Sequence, residues 1–191
     1  MKRERIGPAF FRRNPVDCAR DLIGCTFKWD GCGGRIVETE AYAAEGDPAC
    51  HTFFRPGARR FVASHPAGHA YIYLNYGVHW LFNVLVKGGD MDGFVLFRAL
   101  EPVEGLEAMR MRRPGCPDHG LCAGPGKLTR ALDIHGGHHA AEFLSHPQRG
   151  LWRGEGGLVA AGPRIGISKG KELPWRFCAV GSRSLSRPLP A

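Results

Sequence analysis

The sequence predicts a strand-rich α+β fold in a single domain. Its 191 residues are the usual size of one domain and would leave two domains cramped. Hydrophobic residues make up 43% of the chain, which is enough for a buried core. The apolar segments are short, are separated by turns rich in the 27 glycines and 14 prolines, and do not alternate as strand–helix–strand units. A loop-rich domain that spans 1–191 is therefore expected, and a helical bundle is not.

The first predicted element is a helix. Asn14 suits the N-cap, Pro15 suits the first turn, and the charge of Asp17 favours the positive end of the helix dipole. Apolar residues then recur at helical spacing until Gly24. The pattern predicts that the helix ends at this glycine.

Most of the predicted strands form hairpins, because short apolar or alternating segments flank turn residues. The predicted strands are 25–29, 35–42, 69–74, 78–86, 94–100 and 164–168. Helices are predicted over 103–113 and 126–132. Irregular structure is predicted over 43–68 and 135–162, which are rich in Gly, Pro, His and Arg.

The net charge of +8 comes from the two ends of the sequence. Residues 1–13 contribute 5 − 1 = +4 and residues 162–191 contribute 6 − 1 = +5, so the other 148 residues sum to 15 − 16 = −1. Such a charge suits a polyanionic partner without establishing one. If the partner is nucleic acid, these ends and the basic loops are expected to give salt-sensitive, sequence-blind affinity. The basic segment 1–13 is a candidate flexible arm.

An intracellular location is expected, and a secreted protein is not. The seven scattered cysteines are odd in number and fit a reducing compartment better than a disulfide framework. The basic N-terminus lacks the apolar stretch of a secretory signal, and no apolar run approaches the roughly twenty residues of a membrane-spanning helix. The cysteines form no C-x-x-C pair, and the histidines within 135–139 have no partner at ligand spacing, so no metal site is predicted.

Two carboxylates and a phenol are predicted on one face of a strand. Glu38, Glu40 and Tyr42 alternate along the chain and therefore point to the same side. Arg98 lies in the middle of an apolar strand, where a buried guanidinium needs an anionic partner. The alternatives are a solvated strand face for the acids and a purely structural ion pair for the arginine.

All four tyrosines fall within 35 residues of one another. Tyr71 and Tyr73 suit a core position, whereas Tyr76 at a hairpin tip would project into solvent. An exposed aromatic ring beside positive charge suits base stacking, which is worth about 1–3 kcal/mol per base. Asn83 shares a strand face with His79 and is either a satisfied core amide or a group that reads a ligand.

A glycine-rich turn leads into the predicted helix at 126–132, and Lys127 lies at the start of that helix. The turn lacks the first glycine of a nucleotide-triphosphate loop and has Leu128 where that loop needs Ser or Thr. A turn of this kind before a helix can still hold one phosphate.

Eight ordered segments of the chain together resemble the alkyladenine (3-methyladenine) DNA glycosylase family. They are 35–42, 47–51, 68–73, 76–83, 96–102, 121–128, 164–167 and 174–177. Any one segment is a weak signal, but their order and spacing along nearly the whole chain make the resemblance specific. It implies a single compact α+β domain around a curved, mostly antiparallel sheet flanked by helices, with no helix-hairpin-helix, no metal and no other cofactor.

The resemblance also implies the catalytic roles. Glu40 would be the general base that activates water, while Arg98 and the backbone carbonyl of Ile165 would help to hold that water. Glu38 would be structural. No lysine falls at the water-activating position, so the resemblance implies hydrolysis without Schiff-base lyase chemistry.

The base pocket follows from the same resemblance. Tyr42, His51 and Tyr73 would enclose a purine flipped out of the duplex. Asn83 would obstruct the 2-amino group of an undamaged guanine. Tyr76 would enter the gap that the flipped base leaves in the duplex.

The implied phosphate contacts are Lys127, Arg59 and backbone amides near Val78 and Gly166. The loop at 57–68 departs from the family pattern, with Gly-Ala-Arg-Arg in place of Thr-x-Arg-Asn and no Met-Phe pair. Because this loop contacts the DNA backbone in the family, the resemblance does not fix the DNA affinity or the lesion range of this chain.

The predicted function is therefore a monomeric, monofunctional glycosylase of alkylated or deaminated purines in duplex DNA. The substrates expected are 3-methyladenine, 7-methylguanine and hypoxanthine. One alternative is a non-catalytic damaged-DNA-binding module of the same fold, against which the intact Glu40 and Arg98 argue. The other is a glycosidase of free nucleosides or RNA, against which Tyr76 argues because a free nucleoside leaves no gap to fill.

Overall fold

A curled antiparallel sheet of eight strands forms the centre of the structure, a computed structural model that describes residues 4–188. The strands are β1 (Thr26–Trp29), β2 (Cys32–Ala43), β3 (Ala70–Asn75), β4 (His79–Val86), β5 (Gly93–Glu104), β6 (Arg149–Trp152), β7 (Val159–Gly162) and β8 (Arg176–Ala179). The helices are α1 (Pro15–Asp21), α2 (His51–Phe54), α3 (Pro56–Ser64), α4 (Leu106–Arg112) and α5 (Pro125–Leu132). Short 3-10 turns lie at Pro8–Phe11, Asp118–Gly120 and Gly136–His138. The predicted single α+β domain is confirmed.

Strand β2 is the centre of the sheet. The spatial order is β3-β4-β5-β2-β1-β6, and β8 pairs with β2 and with β7. The first half of β2 therefore pairs with β1, and Glu38 to Glu40 pair with β8, while β5 runs along almost the whole strand. Because β2 has neighbours on both sides at this point, Glu38, Thr39 and Glu40 are fully buried, which excludes the alternative of a solvated strand face for the two acids.

Aromatic rings fill the core beneath the sheet. Phe27 packs 5.1 Å from both Phe82 and Phe97, measured between ring centroids, and Trp29 and Phe143 complete the cluster. All five rings are fully buried. This packing fixes the positions of β1, β4 and β5 relative to one another.

The predicted first helix is confirmed, with a side-chain cap. The Asn14 side chain accepts a hydrogen bond from the Val16 amide at 2.9 Å, and Pro15 begins the helix. The helix packs on β2, where the Thr39 hydroxyl donates to the Ala19 carbonyl at 2.8 Å.

Several predicted elements are wrong in part. Irregular structure was predicted over 43–68, which contains α2 and α3, and over 135–162, which contains β6 and β7. Tertiary contacts order these segments although their own periodicity is weak. The predicted strand 164–168 is a loop, since Gly166 has φ +76°, which a strand cannot accommodate. The helix predicted from residue 103 begins at Leu106 because β5 continues through Glu104.

The described part of the basic N-terminal segment is not a free arm. Phe11 is fully buried and Phe10 nearly so. The Arg5 guanidinium donates to the carbonyls of Leu144, His146 and Arg149. The first three residues lie outside the described range.

No helix within residues 4–188 is long and apolar enough to cross a membrane.

Candidate active site

A cavity of about 950 Å³ opens between β3, β4, β5, α2, α5 and the loop after Arg164. Rings of Tyr42, His51, Tyr71, Tyr73 and Phe94 line its walls. The lining also includes six cations, one of them Arg98, and it includes no aspartate or glutamate. An aromatic cavity with a positive lining suits a flat, ring-shaped group attached to a polyanion.

Glu40 is fully buried, and three residues of the cavity wall donate hydrogen bonds to it. Its Oε1 accepts from the Ile165 amide at 2.7 Å. Its Oε2 accepts from the Tyr42 hydroxyl at 2.7 Å and from Arg98 Nη1 at 3.2 Å. A carboxylate offers about four acceptor positions, so one remains for a further donor such as water.

Arg98 joins the two carboxylates of β2. Its Nε donates to Glu38 Oε1 at 3.0 Å, in addition to the contact with Glu40. Burial alone would lower the pKa of the guanidinium, but the Coulombic attraction of Glu40 and Glu38 outweighs burial, and the pKa is raised. The predicted supply of anionic partners from the Glu38–Tyr42 face is therefore confirmed.

Glu38 is surrounded by donors. Oε1 accepts from Arg98 Nε, from Arg176 Nε at 2.8 Å and from the Ser186 hydroxyl at 2.7 Å. Oε2 accepts from the Ser186 amide at 2.6 Å. Neither Arg176 nor Ser186 was predicted as a partner of Glu38, because both lie more than a hundred residues away in the chain.

Tyr42 is held from behind by a buried ion pair that the sequence analysis did not single out. The Arg164 guanidinium lies 4.7 Å from the Tyr42 ring centroid and 5.3 Å from that of Trp175. Arg164 and Asp47 form a two-pronged salt bridge, with N–O distances of 2.5 and 2.9 Å. Burial first, and then the Glu40 charge, raise the pKa of the Tyr42 phenol well above its ordinary value, so this group remains a hydrogen-bond donor.

The predicted base-pocket residues come together. His51 lies 4.2 Å from Tyr73 between ring centroids, and its Nδ1 is 3.1 Å from the Tyr71 hydroxyl. Burial, with a smaller contribution from Arg55, lowers the pKa of His51 to about 4, so the ring is neutral near pH 7. Burial raises the pKa of Tyr71 to about 12 and also raises that of Tyr73.

Asn83 lies in the same wall and is nearly buried. Its side-chain amide donates to the Tyr71 carbonyl at 3.1 Å, across the β3–β4 pair. Among residues 4–188, no donor meets its amide oxygen. The residue is thus a partly satisfied amide with one polar atom left for a ligand.

Tyr76 lies at the tip of the β3–β4 hairpin and is 87% exposed. Tyr76 and Gly77 both have positive φ, +50° and +70°, within the three-residue connection 76–78 between Asn75 and its partner His79. The Val78 amide closes this turn by donating to the Asn75 carbonyl at 3.1 Å. The expected phosphate contact by that amide is therefore corrected, because its hydrogen is already used within the hairpin.

The other expected phosphate contacts fall into two groups. Lys127 and Gly166 line the cavity, and the Gly166 amide has no acceptor among the described residues. Arg59 does not line the cavity, because its guanidinium donates to the Thr52 carbonyl at 2.7 Å at the end of α2. Arg55 takes the position at the cavity instead, 5.5 Å from the Tyr73 ring centroid.

Three further cations line the cavity: Arg113, Arg130 and Lys169. Arg130 lies on α5 with Lys127, whereas no role was predicted for Arg113 or Lys169. Nothing in their local pattern marks them, since they come from separate segments that only the tertiary fold brings together.

The histidines at 135–139 have structural hydrogen bonds. His135 and His138 cap the 3-10 turn between them by accepting from the Gly137 and His135 amides. His139 accepts from the Ile72 amide at 3.1 Å. No group of three or more metal-ligand side chains occurs within residues 4–188. The seven cysteines are all free thiols.

Comparisons with known proteins agree with this geometry. Residues 9–183 match the sequence model of the family described as methylpurine-DNA glycosylase (MPG). A relative from Bradyrhizobium diazoefficiens is 47% identical over 182 residues, covering 95% of this chain and 90% of the relative. A relative from Nitrosospira multiformis is 45% identical over 178 residues, covering 93% and 92%. Both relatives are assigned as 3-methyladenine DNA glycosylases. The chain therefore belongs to the methylpurine-DNA glycosylase family.

Proposed function

We propose that this protein is a monofunctional DNA glycosylase that acts as a monomer on alkylated or deaminated purines in duplex DNA. Its substrates are of the 3-methyladenine, 7-methylguanine and hypoxanthine class. The observation that carries the proposal is the buried Glu40, which keeps one acceptor position open while three lining residues of an aromatic cavity hold its carboxylate.

Glu40 acts as the general base. It takes a proton from a water molecule whose oxygen then bonds to C1′ of the sugar, and the bond between C1′ and the purine nitrogen breaks with its electrons going to the base. The carboxylate also stabilises the positive charge that develops on the sugar. Arg98 and the Ile165 carbonyl help to place the water.

Tyr42, His51 and Tyr73 enclose the flipped purine, and the Asn83 side chain obstructs the 2-amino group of an undamaged guanine. Flipping costs a few kcal/mol of unstacking, least at a damaged or mispaired base. Insertion of the exposed Tyr76 into the stack offsets part of that cost. Lys127 and the Gly166 amide bind phosphates beside the lesion.

The proposal is tested by base release from duplex DNA. Duplexes with a single hypoxanthine or 7-methylguanine are incubated with the protein, and released base and alkali-sensitive abasic sites are both measured. Release of at least one purine lesion is expected. The absence of release from every purine lesion would refute the enzyme proposal and favour a damaged-DNA-binding module.

Glu40→Gln separates binding from chemistry. Release is expected to fall at least about 100-fold, since general-base catalysis contributes about 10²–10⁴-fold. Duplex affinity is expected to survive. Glu101→Gln is the matched control, because Glu101 is a half-exposed glutamate paired with Arg35 on the same sheet. Equal activity of wild type and Glu40→Gln would contradict the role of Glu40.

Two further measurements test the finer claims. Free inosine is expected to be a poor substrate beside duplex hypoxanthine, and equal rates would favour the nucleoside alternative. Borohydride is expected to trap no covalent protein–DNA adduct, whereas a trapped adduct would demonstrate Schiff-base lyase chemistry.

A further inference from the structure

We infer that Arg164, through its buried pairing with Asp47, is the positioning residue for both neutral donors to the Glu40 carboxylate. This inference rests on the proposed function, since it concerns the same carboxylate. Arg164 donates no hydrogen bond to Glu40, and it positions the two donors through Tyr42 and Ile165.

The first line of argument is that Arg164 fixes the loop that carries Ile165. Its guanidinium donates to the Gly170 carbonyl at 3.1 Å and to the Ala41 carbonyl on β2 at 3.0 Å. These bonds join the far end of the loop to the strand that bears Glu40. The residue that follows Arg164 in the chain then presents its amide to Glu40 at 2.7 Å.

The second line of argument concerns the Tyr42 ring. Arg164 lies 4.7 Å from the ring centroid, and the hydroxyl of that ring donates to Glu40 at 2.7 Å. The same guanidinium lies 5.3 Å from the Trp175 ring, so it separates two aromatic side chains. One side chain thus fixes both a backbone donor and a phenol donor to one carboxylate.

Asp47 in turn orients Arg164. Both of its carboxylate oxygens accept from the guanidinium, and both side chains are fully buried. Asp47 also accepts from the amides of Ala43 and Ala49, at 3.3 and 3.0 Å, which ties the ion pair to the end of β2. A two-pronged pair needs the planar fork of arginine, which lysine cannot reproduce.

Within residues 4–188, the buried Arg164 Nε has no hydrogen-bond partner. A buried unpaired donor is unfavourable for stability and is uncommon in folded proteins. The arginine keeps this unfavourable unpaired donor. Its position beside Tyr42 and Asp47 is therefore not explained by its own hydrogen bonding, which is consistent with a role in positioning its neighbours.

Arg164→Lys tests the inference, with Arg35→Lys as control. Arg35 lies on β2, the strand that bears Glu40, and like Arg164 it pairs with a carboxylate, but its pair with Glu101 is half exposed. Arg164→Lys is expected to lower the single-turnover release rate at least 10-fold, with the affinity for undamaged duplex changed less than 3-fold. Arg35→Lys is expected to change neither.

The pH profile gives a readout that a merely structural role would not move. A carboxylate that loses donors holds its proton more tightly, so the acid limb of the rate profile of Arg164→Lys is expected to lie at higher pH than in wild type. The other titratable groups that face Glu40 come from four strands and are Tyr42 on β2, Tyr73 on β3, Arg98 on β5 and Cys178 on β8. Of these groups, Arg164 contacts only Tyr42 directly, and Arg164→Lys keeps the positive charge beside that ring.

A measurement without DNA distinguishes this inference from the proposed function. In the free protein, the Ile165 amide resonance and its hydrogen exchange are expected to change in Arg164→Lys and not in Arg35→Lys. If no lesion is released by wild type but the Ile165 amide responds, the proposed function fails and the positioning role stands. If the Ile165 amide and the acid limb are both unchanged, the positioning role is refuted.

Asp47→Asn is the second variant, in case Arg164→Lys does not fold. It keeps the guanidinium and weakens only the pairing that orients it. The same loss of rate, with unchanged duplex affinity, is expected to a smaller degree. A folded Asp47→Asn with wild-type rate and acid limb would overturn the inference.

Discussion

At the scale of single residues, the two carboxylates of β2 differ in what surrounds them. Glu38 accepts from two guanidiniums and twice from Ser186, so donors occupy all of its acceptor capacity. From the described residues, 4–188, Glu40 accepts three hydrogen bonds. A carboxylate with an open acceptor position can bind water, and therefore Glu40 rather than Glu38 suits general-base chemistry.

His51→Gln is expected to flatten the pH dependence of stability. The pKa of His51 is about 4 in the folded protein against an ordinary value of 6.5, because burial disfavours the charged ring. Between these values the unfolded chain binds more protons, so the free energy of unfolding rises with pH there and falls as the pH drops from 6.5 to 4. Denaturant melts at several pH values measure this slope.

The control for this prediction is Phe53→Leu, an exposed and uncharged side chain on the same helix. It is expected to keep the wild-type slope. Burial also lowers the pKa of His138 and His139, so part of the slope remains in His51→Gln. An unchanged slope in His51→Gln would contradict the neutral state of the buried ring.

Tyr76→Ser is expected to reduce release about 10-fold or more from a stably paired lesion, because base stacking by an aromatic ring is worth about 1–3 kcal/mol. Release from the same lesion in a single strand is expected to change little, since no stack has to be opened. Met111→Ser is the control, because Met111 is 83% exposed and does not line the cavity. Equal effects on duplex and single strand would argue against insertion.

At the scale of elements, the backbones of β2 and β5 approach each other closely at Gly93, next to the site. A Cβ atom at Gly93 would lie 2.1 Å from the Tyr42 carbonyl oxygen, so only glycine lets the two strands approach this closely. This approach fixes the end of β2 that bears Tyr42. A strand packed in this way cannot move without disturbing the donor to Glu40.

Gly93→Ala is expected to lower the free energy of unfolding by about 1–3 kcal/mol, since the overlap is with backbone that cannot move aside. Gly57→Ala is the control with the opposite sign. Gly57 lies in α3 with its nearest neighbour at 4.0 Å, and alanine is the better helix former by up to about 1 kcal/mol. Urea melts of both variants test the pair of predictions, and a stable Gly93→Ala would contradict the close approach.

The elements that the sequence predicts well are those with local signals. Asn14 and Pro15 mark a capped helix, and the Tyr76-Gly77 pair marks a hairpin, so both elements lie where the local pattern placed them. Strands β6 and β7 have four residues each and no alternation, and only pairing with β1 and β8 makes them strands. Their prediction needs knowledge of the sheet.

The same division holds within the site. Alternation places Glu38, Glu40 and Tyr42 on one face, and an apolar strand demands a partner for Arg98. The pairing of Asp47 with Arg164 spans 117 positions in the chain. No local pattern encodes a contact of that separation, so the structure was needed to find it.

At the scale of the whole molecule, only one described cation of the two ends, Lys169, lines the cavity. Arg5 donates to backbone carbonyls, Arg13 pairs with Asp21, and Arg164 and Arg176 are buried in ion pairs. This distribution does not favour the ends as the source of the affinity for DNA that was predicted for the ends and the basic loops together.

Apart from Arg98, the cations that line the cavity come mainly from the nearly neutral body. They are Arg55, Arg113, Lys127, Arg130 and Lys169, and only the last belongs to a terminal segment. The positive field at the cavity thus arises from the distribution of charge more than from its total.

Arg130→Gln is expected to weaken binding to undamaged duplex and to reduce the slope of log affinity against log salt by about 1, as for the loss of one phosphate contact. Arg12→Gln is the control, an exposed cation of the N-terminal segment that does not line the cavity. Its slope is expected to equal that of wild type. A larger change in Arg12→Gln than in Arg130→Gln would favour binding through the ends.

The charge network around Glu38 also determines when the site is completed during protein synthesis. The first hundred residues supply two carboxylates and a single guanidinium, whereas Ile165, Arg176 and Ser186 come later in the chain. A growing chain folds from its N-terminal part onward, so the nascent sheet holds an acidic pair with too few donors until the later segment is made. The Glu40 carboxylate therefore acquires its full set of donors only after Ile165 has been synthesised.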